Sequence, residues 1–424
     1  MCRHQGFVVG VVVAGLLLAP ALVVAGDKLV TSKTIKVDCG KGGKISKALE
    51  DTALELTVEV QGVCAEYVVI TRDRVTLRGV GSGATIDGTS YPTPKPPGIL
   101  VTGASNVSLE NLVVQNTGRG IKIELGSAVA LKSVISQDNA GNSLYVLGSA
   151  VTITDLTVQR ATYHGVWIGE GAHAVVEGTL LTKDNGGTGL VLSGANLEFG
   201  LTGGTIESSN NGLRGITFQV GAGAQLYSSA GTHLVTTGNQ GAGVALYGAW
   251  VSIQQLDSTG NGHGIWVEGP SSVGVTGTIA ANTHRGVWCG DGALVSLTNA
   301  TVTGSGGGAI IVNGECRATL TGVIVQGNTG AGLRLDGASA AISNTTISGN
   351  TGTDVVLGFG SRASFDDGNT VDTVSCDGTE LIRGDVSCPP VSSSTARLQE
   401  APSQRQTARS EDRPERPLPE KLQP

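Results

Sequence analysis

Hydrophobic and polar positions alternate along most of this chain, and the alternation itself recurs. The stretch GIWVEGPSSVGVTGTIAANTHR runs directly into GVWCGDGALVSLTNATVTGSGGG, together residues 264–308. Both open on Gly, pass through an apolar-Trp-apolar triplet and reach a corner with an acid and glycines. Two short apolar alternations follow, then a polar return to Gly. Aligned on the small residue before each triplet, units start at Gly98, Gly120, Ser143, Gly165, Gly189, Gly215, Gly243, Gly264, Gly286, Ala309, Gly332 and Asp354. The step is about 22 residues, a period that predicts a solenoid when its parts are only short strands and Gly/Asn turns. No helical stretch separates the strands, which excludes leucine-rich repeats, and no Trp-Asp signature or four-strand blade is present, which excludes a propeller.

Strand geometry then assigns faces. Side chains alternate sides, so the first and third residues of each triplet point inward: Ile121 and Ile123, Leu144 and Val146, Val166 and Ile168, on to Leu333 and Leu335. Stacked coils lie roughly 4.8 Å apart, so like residues stack on like along the axis. Late in many units stands an Asn: Asn116, Asn139, Asn185, Asn261, Asn282, Asn328 and Asn350. Asn tolerates left-handed backbone and can bond the neighbouring turn, so these residues predict a structural ladder at a corner.

Residues 26–97 read as an N-terminal cap with the first coils. Ile35, Lys36 and Val37 alternate like a strand. In 44–54, Ile45, Ala48, Leu49 and Leu54 fall at helical spacing with Lys47, Glu50 and Asp51 opposite, which predicts an amphipathic capping helix over the open end of the core. Leu56 to Val60, Val68 to Ile70, Val75 to Leu77 and Ala84 to Ile86 follow as strands, and Pro-rich 91–97 as a loop. Regular coils occupy 98–388.

Composition changes this picture at both ends. Arg3 and His4 precede an apolar run over 7–18, Pro20, and small residues up to Ala25, the layout of a secretory signal peptide in 1–25. The expected location is secreted, periplasmic or cell surface, with no membrane span once the leader is cleaved. In 389–424, Gly gives way to Pro, Gln, Ser, Glu and Arg, which predicts a disordered tail. The net charge of −7 comes with scattered Lys and Arg, which excludes a nucleic-acid partner. Of seven cysteines, Cys2 leaves with the leader. The others fall into local pairs, Cys39 with Cys64, Cys289 with Cys316 and Cys376 with Cys388, and an exported protein favours disulfides between them. No spacing resembles a zinc site.

Twelve aligned units, the Asn corner and the N-terminal run GKISKALED, TVEVQGVCAEYVVI, VTLRGVG and ATIDG resemble the pectate-lyase-like superfamily over residues 35–388. The resemblance implies an all-β, right-handed single-stranded parallel β-helix solenoid with an N-terminal capping helix. That superfamily spans polysaccharide lyases, glycoside hydrolases, sugar epimerases, esterases and adhesins. It implies a polysaccharide or cell-surface glycan as partner and leaves the reaction open.

Candidate chemistry follows from the outward positions. The middle of each triplet reads Lys122, Tyr145, Trp167, Val191, Thr217, Ala245, Trp266, Trp288, Ile311 and Arg334. The preceding corner adds Arg119, His164, Arg214, His263 and Arg285; the following one adds Glu124, Glu170, Tyr247, Glu268, Asp291 and Asp336. Water-facing aromatics beside cations and acids suit a sugar groove, with Tyr145, Trp167, Trp266, Trp288 and Arg119 as substrate-binding residues. For catalysis on a uronate, His164, His263 or Tyr145 is the candidate base and Arg119 or Arg285 the carboxylate neutraliser. For hydrolysis, Glu268 and Asp291, one coil apart, are the candidate pair. Gly262-His263-Gly264 is similar to one element of the polygalacturonase-type hydrolases, whose other elements are missing, as is the Asp-Pro-His of the alginate-type epimerases. Asp138, Asp155 and Asp184 fall on nearby coils at different phases and do not obviously converge, so no cofactor is expected and calcium is left open without residues to support it. A monomer is expected. The competing reading is a structural or adhesive solenoid without a catalytic site.

Overall fold

The computed structural model describes residues 32–226 and 231–389. The expected leader over 1–25 and all but Pro389 of the expected tail lie outside the described residues. Every strand pairing is parallel, and the strands fall into a 14-stranded sheet of short strands and a 22-stranded sheet that mixes short strands with ones up to thirteen residues long. Each coil gives one strand to the first sheet, turns, and runs through the second. The chain forms an all-β right-handed parallel solenoid of about 15 turns.

All twelve units have a strand of the 14-stranded sheet at the triplet. Register is continuous along the axis: Tyr145 pairs with Trp167, Trp167 with Val191, Val191 with Thr217, Thr217 with Ala245, Ala245 with Trp266, Trp266 with Trp288 and Trp288 with Ile311. The inward residues form one uninterrupted apolar core from Val37 to Phe365. Each fully buried Val, Leu or Ile contributes about 1.5–3 kcal/mol before the entropy of ordering is charged. The small residue that opens each unit has a steric cause. At Gly189 a methyl would collide with Ser208 Oγ, Thr182 Oγ1 and Asn211 Nδ2, because the next coil's polar row passes directly beneath.

That polar row is the Asn ladder, and it lies inside the tube. Asn185 Nδ2 donates to Asn211 Oδ1 (2.9 Å), Asn211 Nδ2 to Asn239 Oδ1 (2.9 Å), and Asn239 Nδ2 to Asn261 Oδ1 (2.8 Å). Each Oδ1 also accepts the backbone N–H of the preceding Asn, so one amide closes a buried corner twice. Two members, Asn211 and Asn239, sit in the longest units. Asn116 is not a member. It occupies the left-handed corner one residue earlier and bonds Asp87, while Thr117 takes the ladder position and donates to Asn139 Oδ1 (2.8 Å).

The N-terminal helix is shorter than expected. It spans Ile45–Leu49, five residues, rather than 44–54. Its start is fixed by Glu66, whose carboxylate accepts the N–H groups of Ile45 (2.6 Å) and Ser46 (3.1 Å). Its end is forced by a turn in which Asp51 accepts the Ala53 N–H (2.9 Å), with Arg72 holding the carbonyls of Asp51 and Ala53. Ile45 and Ala48 are buried with the first coils, so the segment packs against the core as a single turn rather than covering it as an amphipathic helix.

Cys39 pairs with Cys64, Cys289 with Cys316 and Cys376 with Cys388. Cys289 takes an inward triplet position and Cys316 the corner of the next coil, so the second bond joins adjacent coils within the core. No helix among the described residues is long and apolar enough to cross a membrane.

Candidate functional site

Three columns of side chains run along the outer face of the 14-stranded sheet. One holds the middle residues of the triplets, and the flanking two hold the residues just before and just after each strand. The pattern predicts that the middle column stands open to water. The structure differs: Trp266 is 2% exposed and Tyr145 8%, and Val191, Thr217, Ala245 and Ile311 are also buried, with Trp167 and Trp288 only partly covered. These side chains do lie outside the tube. Ala242, Ala245 and Trp266, with Tyr247 and Trp288 packed on them, form an apolar cluster separate from the main core. They are closed off sideways, because coils roughly 4.8 Å apart leave little more than a ring's thickness between equivalent side chains.

Two groups of residues result. In the first, Trp266 and Trp288 stack with centroids 4.0 Å apart and planes at 18°. His263 meets Trp266 edge-on (4.8 Å) and stacks on His284 (5.1 Å, 28°). Glu268 ends the strand of Trp266 and is 6% exposed. Arg285 occupies the coil after His263 in the same column, half-buried. Asp291 is exposed, in a left-handed corner after the strand of Trp288. The Trp288 indole lies against Gly290, where a methyl would collide with Cη2. Four of the five residues singled out for catalysis, His263, Glu268, Arg285 and Asp291, thus share two adjacent coils with two of the binding candidates.

The second group stands four coils away, roughly 19 Å. Arg119 covers the Tyr145 ring (4.6 Å), Tyr145 meets Trp167 (6.4 Å), and Trp167 meets His164 (5.5 Å). His164 is not placed to act as a base. Its Nδ1 accepts the Thr188 N–H (3.0 Å), which leaves the proton on Nε2. Burial, and after it the Arg214 charge, pushes the imidazolium down to about 4. Near neutral pH His164 is an uncharged donor, a correction to the role its composition suggested.

Between the groups lies Arg214, which the site reading left out. It is 4% exposed, its guanidinium lies over the Tyr247 ring (5.1 Å), and its Nε is sealed from water with no hydrogen-bond partner. No salt bridge reaches it among the described residues. The buried Thr217 Oγ1, three residues on, likewise has no partner. Both sit where the middle column carries its smallest residues, Val191, Thr217 and Ala245, between Trp167 and Trp266. That run of small residues is the sequence signal that marks this stretch off from the aromatic groups on either side.

Among the described residues, the one grouping of three metal-ligand side chains is Cys376, Glu380 and Cys388, whose two sulfurs already bond each other. No metal ligand set assembles on the face described here.

The family described as "Right handed beta helix region" matches residues 97–240, 142–314 and 285–387. A comparison with curated proteins finds no match. Among solved structures, the A-module of Azotobacter vinelandii mannuronan C-5 epimerase AlgE6 is similar at 16% identity, covering 84% of this chain and 100% of that one with a TM-score of 0.41. The Dettilon tailspike protein gives 11% identity, 76% and 62% coverage and 0.41. A Yersinia enterocolitica family 28 exopolygalacturonase gives 12%, 84% and 76%, and 0.32. Since the family match runs across most of the chain and the coils stack in unbroken parallel register, the chain belongs to the right-handed β-helix family.

Proposed function

We propose that this is an exported solenoid that binds an acidic polysaccharide along the outer face of the 14-stranded sheet, centred on Arg214. The observation that carries this reading is Arg214 Nε, a buried donor with no hydrogen-bond partner on a guanidinium that no salt bridge reaches among the described residues. Burying a charge costs several kcal/mol unless it is paired, and the cation–π contact with Tyr247 offsets about 1–2 kcal/mol of that. A buried guanidinium with an unused Nε donor, near an unused hydroxyl, is matched by a carboxylate or sulfate on a flexible polymer. His164 Nε2–H adds a neutral donor on one side, and the Trp266 group borders the other. Three disulfides and the leader-like start support export.

The mode of contact follows from the packing. Trp266 and Trp288 spend their faces on each other, so a chain laid on this surface meets ring edges and charged groups rather than open indole faces. Binding is electrostatic in character, and turnover is not needed to explain the residues present.

The test uses purified full-length protein with polygalacturonate, alginate and a neutral polymer, titrated at low and high salt. The expected result is binding to an acidic polymer that weakens with salt and is lost in Arg214→Met, which keeps the stem and removes the charge. Absence of binding to every acidic polymer, or equal binding by Arg214→Met, overturns it. Release of unsaturated sugars in the same samples, with or without calcium, would make the protein a lyase instead. The stacked aromatics also favour a second reading, a non-catalytic structural or adhesive solenoid, and that is what failure of all polymers would leave.

A further inference from the structure

The fourth tryptophan stands on the other sheet. Trp250 opens the strand Trp250–Thr259 of the 22-stranded sheet and is 49% exposed. Its indole leans across the preceding coil onto Gly223, where a methyl would collide with Cζ2, and the residue paired with it on the next coil is Ser272. Both neighbours in its column are therefore small. Trp266, by contrast, is stacked under Trp288, and Trp250 is the most exposed of the four tryptophans.

On the same outward face of that strand, starting two residues on at Ser252 and running over the following coils, lies a shallow groove of about 420 Å³, lined by Ser252, Gln254, Thr276, Ser296 and Thr298 with Ile253, Gly274 and Val275 at its floor. The register puts Ser252, Gly274 and Ser296 in one row across three coils. At Gly274 an added methyl would meet nothing within 4 Å, so the row has a gap there. Among the described residues none of the five polar side chains has a hydrogen-bond partner. Elsewhere on the same sheet several outward charged groups are paired: Arg78 with Glu110, Arg160 with Asp138, His233 with Asp257. None of the groove-lining residues is charged.

We propose that this groove is a second binding site, and that it takes an uncharged glycan. An open indole covers the apolar face of a pyranose, and hydroxyl and amide groups at fixed spacing meet its hydroxyls as both donors and acceptors. A charged ligand would find no counter-charge among the lining residues. A second copy of this chain would need a far larger covered area than a groove of this size offers. The proposal does not depend on the Arg214 reading, since it concerns a different sheet and a neutral ligand.

The experiment titrates the full chain with cellohexaose, laminarihexaose, mannohexaose and chitohexaose, at low and high salt. The expected result is that at least one binds, indifferent to salt. Trp250→Ala weakens it about tenfold or more, with an unchanged melting curve because the residue is half exposed. Gly223→Ala, which retains the indole and displaces it, weakens it as well. Failure of all four sugars to bind overturns the proposal, as does binding that survives both substitutions. Concentration-dependent dimerisation abolished by Trp250→Ala also overturns it, in favour of a self-association surface.

Discussion

The indoles of Trp266 and Trp288 lie face to face at 4.0 Å, one coil apart, on the outside of the tube. This contact works as a piece of core placed on the wrong side of the sheet. Trp266→Ala should therefore cost stability, about 3–5 kcal/mol, as for a buried aromatic. Trp288→Ala, partly exposed, should cost less. Urea unfolding of the two variants checks the order; equal and negligible costs would show that the pair is ornamental.

His164 gives the fold a pH dependence. Its imidazole titrates near 4 when folded and near 6.5 when unfolded. The unfolded chain therefore binds the extra proton between those values. The stabilising effect is complete above about pH 6.5, declines as pH falls and is exhausted near pH 4, worth about 3 kcal/mol at most. His164→Gln retains an acceptor for Thr188 and should flatten the slope between pH 4 and 6.5 in denaturant titrations.

Cutting the ladder should be costly wherever it is buried. Asn239→Ala strands the N–H of Asn211 and one of its two amide protons, the other still donating to Ser208 Oγ, and the cost is about 2–4 kcal/mol. Asn116→Ala, which loses only a partly exposed bond to Asp87 but puts Ala in a left-handed corner, should cost about 1–2 kcal/mol. Melting temperatures of the two variants separate them directly.

Arg214→Met should keep or raise stability while abolishing the proposed acidic-polymer binding, because exchanging a buried unpaired charge for an apolar stem is neutral to stabilising by about 1–4 kcal/mol. A large loss of stability would mean that Arg214 is structural.

The repeat was readable because two periods coincide, two residues within a strand and about 22 between coils, so inward pairs such as Val166 and Ile168 declare themselves. Ladder membership blurred where units lengthen. Asn211 and Asn239 fall in the long coils, and Asn116 is one residue off the row because Thr117 fills it. The capping segment was over-read, since helical spacing in 44–54 carries no notice of Glu66 and Arg72, which fix its ends from distant positions. The site was less legible. Alternation tells which side of a sheet a residue faces, but burial on the outer side depends on what the next coil carries. Trp266 and Trp250 both point outward, yet one has an indole above it and the other Ser272.

Because each coil rests only on its two neighbours, the tube can gain or lose one whole turn without remaking anything else. Such an edit between Gly189 and Gly243 would shift the Trp167 group against the Trp266 group by one notch of roughly 4.8 Å and leave both intact. The solenoid is thus graduated like a ruler, and variants of different length would differ in the span between their two anchor points along a polymer, not in the anchors themselves.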